Sequence, residues 1–165
     1  MDTNETCAEM KSTEPQEEHR WLQQLLGDWT FRGEAVMEPG KPGDRFEGNE
    51  SVRALGDLWT IAEGQGEMCG GMAKTVMILG FNPQSRRFVG TFVASMMTHL
   101  WVYKGELLGN TLTLETEGPD HAGKMVKFRD IIEVQSPDHR TLSSHMLGED
   151  GEWRKIMEAT YLRRT

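Results

Sequence analysis

At 165 residues the chain has single-domain size, and about 150 ordered residues bury roughly two-thirds of their extended-chain surface, enough for a full core without disulfides. A net charge of -8 with no basic patch repels phosphate backbones and anionic bilayers, which argues against nucleic-acid and membrane partners. Only two cysteines, Cys7 and Cys69, no basic-then-apolar start and no long apolar run point to a soluble protein of a reducing, cytoplasmic compartment.

Residues 1–16 are rich in Thr, Glu, Ser, Pro and Gln with little to bury, and read as a disordered acidic leader before a single domain over 17–165. A helix can begin near Pro15, with Glu17 and Glu18 in its first turn, an apolar stripe of Trp21, Leu22, Leu25 and Leu26, and Gly27 as its end. So short a helix needs a surface to cover.

The rest is strand and turn. Trp29, Phe31, Gly33, Ala35 and Met37 share one face, and so do Phe46, Gly48, Glu50, Val52 and Ala54. Further strands are expected over 58–67 and 73–81, with turns at Gly56-Asp57, Gly70-Gly71 and Asn82-Pro83-Gln84-Ser85. Arg86 to Gly105 form a central pair of runs joined at Ser95-Met96-Met97. Phe88, Gly90, Phe92, Ala94 and Met96 share one face of the first run, and His99, Trp101 and Tyr103 one face of the second. Thr111–Glu117, Lys124–Gln135 and Arg140–Leu147 follow, with Val126, Phe128, Asp130, Ile132 and Val134 on one face. After the turn Glu149-Asp150-Gly151, the last strand carries Trp153, Met157, Ala159 and Tyr161 on its inner face. About ten short strands without a second helix predict an all-β, antiparallel up-and-down barrel with one short N-terminal helix.

Leu25-Leu26-Gly27-Asp28-Trp29 and Tyr161-Leu162-Arg163-Arg164 resemble the opening and closing segments of calycin-type barrels, in which a terminal arginine stacks on the tryptophan. The longer segments LGDLWTIAEGQG, TVMILGFNPQSRRFVGTFVASMMTHLWVYKGEL, LTLETEGP, FRDIIE and HMLGEDGEW resemble DUF1579, a bacterial family of unknown function. That resemblance spans nearly all of residues 19–165. It implies a calycin-like barrel related in shape to fatty-acid-binding proteins and nitrobindins, and no established activity. Arg163 over Trp29 would then plug one barrel end, worth about 1–2 kcal/mol if desolvated.

A ten-stranded barrel leaves more lumen than its side chains fill. Strict alternation places the carboxylates of Glu50 and Asp130 on the inner face, each needing a donor or its own proton. His99, Tyr103, His145, Arg53 and Lys74 are the candidate partners. Either the two acids sit near the rims, solvated or ion-paired, or they anchor a ligand within an apolar cup. The expected ligand-binding set is Glu50, Phe92, Met96, His99, Trp101, Tyr103, Phe128, Asp130 and His145. His19, His121 and His139 read as solvated. The eleven methionines read as core more readily than as an adaptable lining.

No zinc signature, phosphate loop or Gly-x-Ser-x-Gly elbow is present, and no histidine can be placed near Cys69. No cofactor is expected. Three functions compete. The barrel binds a small apolar or amphipathic molecule; or it holds haem as nitrobindins do, although Trp153 to Leu162 lacks the proximal histidine of that group; or it is an acid-base enzyme of isomerase or cyclase type using His99 with Asp130 or Glu50. Leu100 and Val102 could face solvent or a second copy in a homodimer.

Overall fold

Side chains that change sides at every residue commit a segment to a pleated strand, and ten such segments in succession can each pair with the next. The computed structural model describes residues 13–165 apart from 37, 39 and 69, so most of the acidic leader, Met37 and both cysteines fall outside the described residues. The chain forms a helix α1 (Glu17–Gln23) and the strands β1 (Gly27–Ala35), β2 (Asp44–Leu55), β3 (Trp59–Met68), β4 (Gly71–Asn82) and β5 (Arg87–Ala94). These are followed by β6 (Trp101–Leu108), β7 (Thr111–Pro119), β8 (Met125–Ser136), β9 (His139–Leu147) and β10 (Trp153–Arg163). Each strand pairs antiparallel with its sequence neighbour and β1 pairs with β10, closing a ten-stranded up-and-down barrel. Closure leaves no strand edge open to another chain.

The register fixes which residues face inward. Trp29 opposes Glu50 on β2 and Arg163 on β10; Phe88 opposes Phe81 and Gly105; Leu114 opposes Asp130, which opposes Ser144. These pairings carry the inward rows from strand to strand, except where the ladders shift between Lys155 and Met157 and between Val134 and Ser136.

One end is sealed. Helix α1 packs against β3 and β4, and Leu22 and Leu25 continue into a core of Trp29, Val52, Leu79, Phe81, Phe88 and Leu112. Trp29 is 1% exposed and donates its indole N–H to the Leu25 carbonyl at 2.9 Å. The Arg163 guanidinium lies 4.3 Å from the Trp29 ring and donates to the Gln24 carbonyl at 2.9 Å, so the expected plug is formed and tied to the end of the helix. Arg86, at the β4–β5 turn, bonds Gln16 at 2.8 Å and Glu18 at 2.7 Å and so clips the helix to the barrel.

Four expectations are corrected by the fold. The helix stops at Gln23, and Gly27, with φ +121, opens β1 instead of ending the helix. His19 is not solvated: α1 lays it on the barrel, 2% exposed, where Nδ1 accepts the Gln16 backbone N–H at 2.9 Å and Nε2 donates to the Phe81 carbonyl at 3.0 Å. Trp153 is not an inner residue. The ladder between β9 and β10 shifts between Lys155 and Met157, and this bulge puts Trp153 on the outer face, 4.1 Å beneath the Arg129 guanidinium. Met96 does not continue the Phe88–Phe92 face, because β5 ends at Ala94 and Met96 lies in the following turn, 53% exposed.

On the outside of β6 and the segment before it, Leu100 and Val102 are 55% and 58% exposed. Among the described residues no helix is long and apolar enough to cross a membrane.

Candidate functional site

Inward residues at the end opposite α1 are not sealed. Phe46 on β2, Met77 on β4, Phe92 on β5, Trp101 on β6, Val126 on β8, Met146 on β9 and Met157 on β10 all face the interior by register, yet all keep water-accessible surface. These residues form an apolar ring, the cup, between the ends of the odd-numbered strands and the starts of the even ones.

Trp101 shapes one side of that cup. Its ring meets Phe128 edge-on at 5.1 Å and His99 at 4.7 Å. It lies over Gly118 so closely that a methyl group there would run into the six-membered ring, which is why β7 carries glycine at this point.

Below the cup lies a belt of polar groups. Tyr103, 1% exposed, donates its phenol O–H to Oδ2 of Asp130, and Ser144 donates its hydroxyl to Oδ1 at 2.6 Å. Burial pushes the Asp130 carboxyl above its usual range, opposed by the hydroxyls of Ser144 and Tyr103. Burial, reinforced by the Asp130 charge, drives the Tyr103 phenol well above its ordinary value. Across the lumen Arg140 donates from Nη2 to Oε1 of Glu50. Its guanidinium also lies 4.0 Å from the Tyr161 ring and 4.6 Å from Trp29. The Tyr161 phenol is likewise raised by burial, with Glu50 adding to the effect.

The structure brings Glu50, Phe92, Trp101, Tyr103, Phe128 and Asp130 to one interior. Both acids are thus inside and satisfied, Asp130 by a partner expected for it and Glu50 by one that was not. Arg140 is the residue that sequence reading missed. The signal was present, since Arg140, Leu142, Ser144 and Met146 share one parity on β9 and Ser144 pairs with Asp130. Arg53 and Lys74 point outward, Arg53 pairing with Glu63 at 3.1 Å.

The histidines stand apart from the acids. His99 precedes β6 at the mouth of the cup, where Nε2 meets the Glu117 carbonyl at 2.9 Å, and no hydrogen bond joins it to Asp130 or Glu50. His145 pairs with Arg129 and Lys155, so it lies on the outer face, 3.1 Å from the Ser143 hydroxyl. Burial, together with the Lys155 charge, holds its pKa below the usual imidazole value. Two open grooves of about 480 and 720 Å³ also lie on the outer side of β10, β1, β2 and β3, lined by polar residues such as Arg32, Glu47 and Thr160.

The fold defines the class: a closed ten-stranded, antiparallel up-and-down β-barrel with one short helix. The chain belongs to the family described as "Protein of unknown function (DUF1579)", whose model matches residues 14–163. In shape it is similar to Rv2717c from M. tuberculosis, at 14% identity and a TM-score of 0.63 over 92% of this chain and 100% of that one. It is similar also to the S-type phycobiliprotein lyase CPES from Guillardia theta, at 13% identity and a TM-score of 0.61 over 92% of this chain and 99% of that one. No curated relative matches the sequence.

Proposed function

We propose that the protein binds a small apolar or amphipathic molecule in the half-open end of its barrel. The observation that carries this reading is the ring of partly accessible apolar inward side chains at the end opposite α1, above a belt of polar ones. The aromatic and thioether wall of Phe46, Met77, Phe92, Trp101 and Met157 offers apolar contact that adapts to the shape of its guest. Tyr103, Asp130 and Ser144 supply the few placed polar groups that orient it. The fold likeness to a phycobiliprotein lyase supports the container and carries no ligand over to this chain.

Titration with Nile red, a neutral dye whose emission rises in apolar surroundings, tests this. Dye emission should rise on binding the native protein, and Met77→Trp, which fills the cup, should weaken binding by at least about tenfold through overpacking. Native emission that stays at the level of free dye, or binding unchanged by the filling variant, would remove the reading.

A further inference from the structure

The interior acids and bases are equal in number but unevenly paired. Below the rims, the inward-facing ionisable groups of the strands among the described residues are Glu50, Asp130, Arg140 and Arg163, with the phenols of Tyr103 and Tyr161. Both cations are engaged, although the Nε of Arg140 is buried without a hydrogen-bond partner. Arg163 belongs to the sealed end, bonded to the carbonyls of Gln24 and Leu26 and stacked on Trp29. Arg140, 4% exposed, is held by Glu50 between two aromatic rings. Asp130 alone has no cation. Its hydroxyl partners, one on each oxygen, both donate, which suits the charged carboxylate, and each oxygen keeps a second acceptor site.

Asp130 is also placed to be reached. It keeps some accessible surface, as do Ser144 beside it and Met146 and Met157 between it and the mouth. A guest entering the cup meets an apolar wall first and then a carboxylate without a counter-charge.

Resting on the lumen-binding reading above, we propose that the guest is an amphiphile whose polar end is a nitrogen cation or another N–H-rich head, with Asp130 as its counter-ion, and that the lumen rejects the same chain ending in a carboxylate. A cationic head satisfies the open acceptor sites with charge-assisted hydrogen bonds and gives Asp130 the counter-charge it lacks. A carboxylate head would bring a second like charge to Asp130, and the arginines lie away from it, Arg163 at the sealed end and Arg140 on Glu50 between two aromatic rings. Fatty-acid carriage, suggested by the general shape of the barrel, is thereby disfavoured.

The test compares three probes of one chain length, decylamine, decanol and decanoate, each below its aggregation concentration and each displacing Nile red from the full chain. Decylamine should bind at least about tenfold tighter than decanol, and decanoate more weakly than decanol. Asp130→Asn should abolish the amine advantage, so that the variant binds decylamine no tighter than it binds decanol. A parallel pH series on the native protein covers the case in which that variant does not fold. Decylamine stays protonated between about pH 5 and 8, so its advantage should shrink toward the acid end as Asp130 gains its proton. The groups facing Asp130 in that series are Tyr103 on β6, Ser144 and Arg140 on β9, Tyr161 on β10 and Glu50 on β2, with His145 acting from the outer face of β9. Decanol serves as the control for their titration.

Decanoate binding as tightly as decylamine, or an amine advantage that survives both Asp130→Asn and acidification, would overturn the assignment. Failure of Nile red and all three probes to bind would instead overturn the lumen reading on which it rests.

Discussion

The two ends of this barrel are made from the same alternating strands and meet different fates. On β5, Phe88 and Phe92 face inward four residues apart. Phe88, toward the helix, is 1% exposed and packs against Phe81 at 5.1 Å, whereas Phe92, toward the mouth, keeps accessible surface. The helix makes the difference, because Leu22 and Leu25 lie over the lower rows and the Trp29–Arg163 stack is tied to its end. Nothing among the described residues covers the upper rows in the same way. Burial thus differs along the barrel axis, with the polar belt between a sealed end and one that water reaches.

The largest effect that sharpens this contrast is loss of the plug. Trp29→Ala should cost about 3–5 kcal/mol in thermal or urea unfolding, since it opens a cavity under the helix and strands the Arg163 stack. A loss below about 1 kcal/mol would mean that the sealed end does not hold the fold. The two β5 phenylalanines form an internal control. Phe88→Ala should cost about 3–5 kcal/mol, and Phe92→Ala, already touched by water, about 1–2 kcal/mol. Equal costs would erase the distinction between the ends.

Arg140→Met leaves Glu50 inside the barrel without its cation and should destabilise by about 3 kcal/mol in urea unfolding. The double change Glu50→Leu with Arg140→Met should recover most of that loss, because an apolar pair removes both desolvation penalties. Failure to recover would show that Arg140 acts mainly through its aromatic contacts. Gly118→Val, at the open end, should cost less, about 1–2 kcal/mol, while displacing the Trp101 ring and weakening Nile red binding.

The smallest effects are those of pH. The Asp130 carboxyl is raised in the folded state, so the folded protein holds this proton where the unfolded chain has released it. Its contribution to stability is full below the unfolded carboxyl pKa and is lost as pH rises through the folded one. Asp130→Asn should therefore gain on the native protein as pH climbs from acid to neutral, as read by urea midpoints at each pH. The same sign holds at alkaline pH for Tyr103 and Tyr161, the chain's two tyrosines. Both stay protonated in the fold after a free phenol would ionise, so tyrosinate absorbance near 295 nm should rise only together with unfolding; a gradual rise at constant ellipticity would contradict their burial.

Much of this was legible from alternation alone. Period two placed Glu50, Phe92, Trp101, Tyr103, Phe128 and Asp130 inside, and the closing Arg163 over Trp29 followed from the resemblance to calycin-type barrels. Alternation failed where the chain stopped obeying it. The bulge near Ile156 turned Trp153 outward, and the ends of β5 and β6 left Met96 and His99 in a linker whose path no periodicity dictates. The burial of His19 depends on where the helix lands, which is a tertiary matter. Arg140 was missed for a different reason: a lone arginine at a strand start reads as solvated until the Glu50 and Tyr161 that receive it are known to be its neighbours.

The separation of a sealed end from an open one is tested most directly by thiol labelling. With Cys7 and Cys69 replaced by serine, Phe92→Cys and Phe88→Cys should be compared for alkylation by iodoacetamide under native conditions. The thiol at 92 should react readily with the folded protein, and the thiol at 88 only as fast as the protein unfolds. Equal protection of both thiols would mean that the barrel is filled from end to end and has no cup.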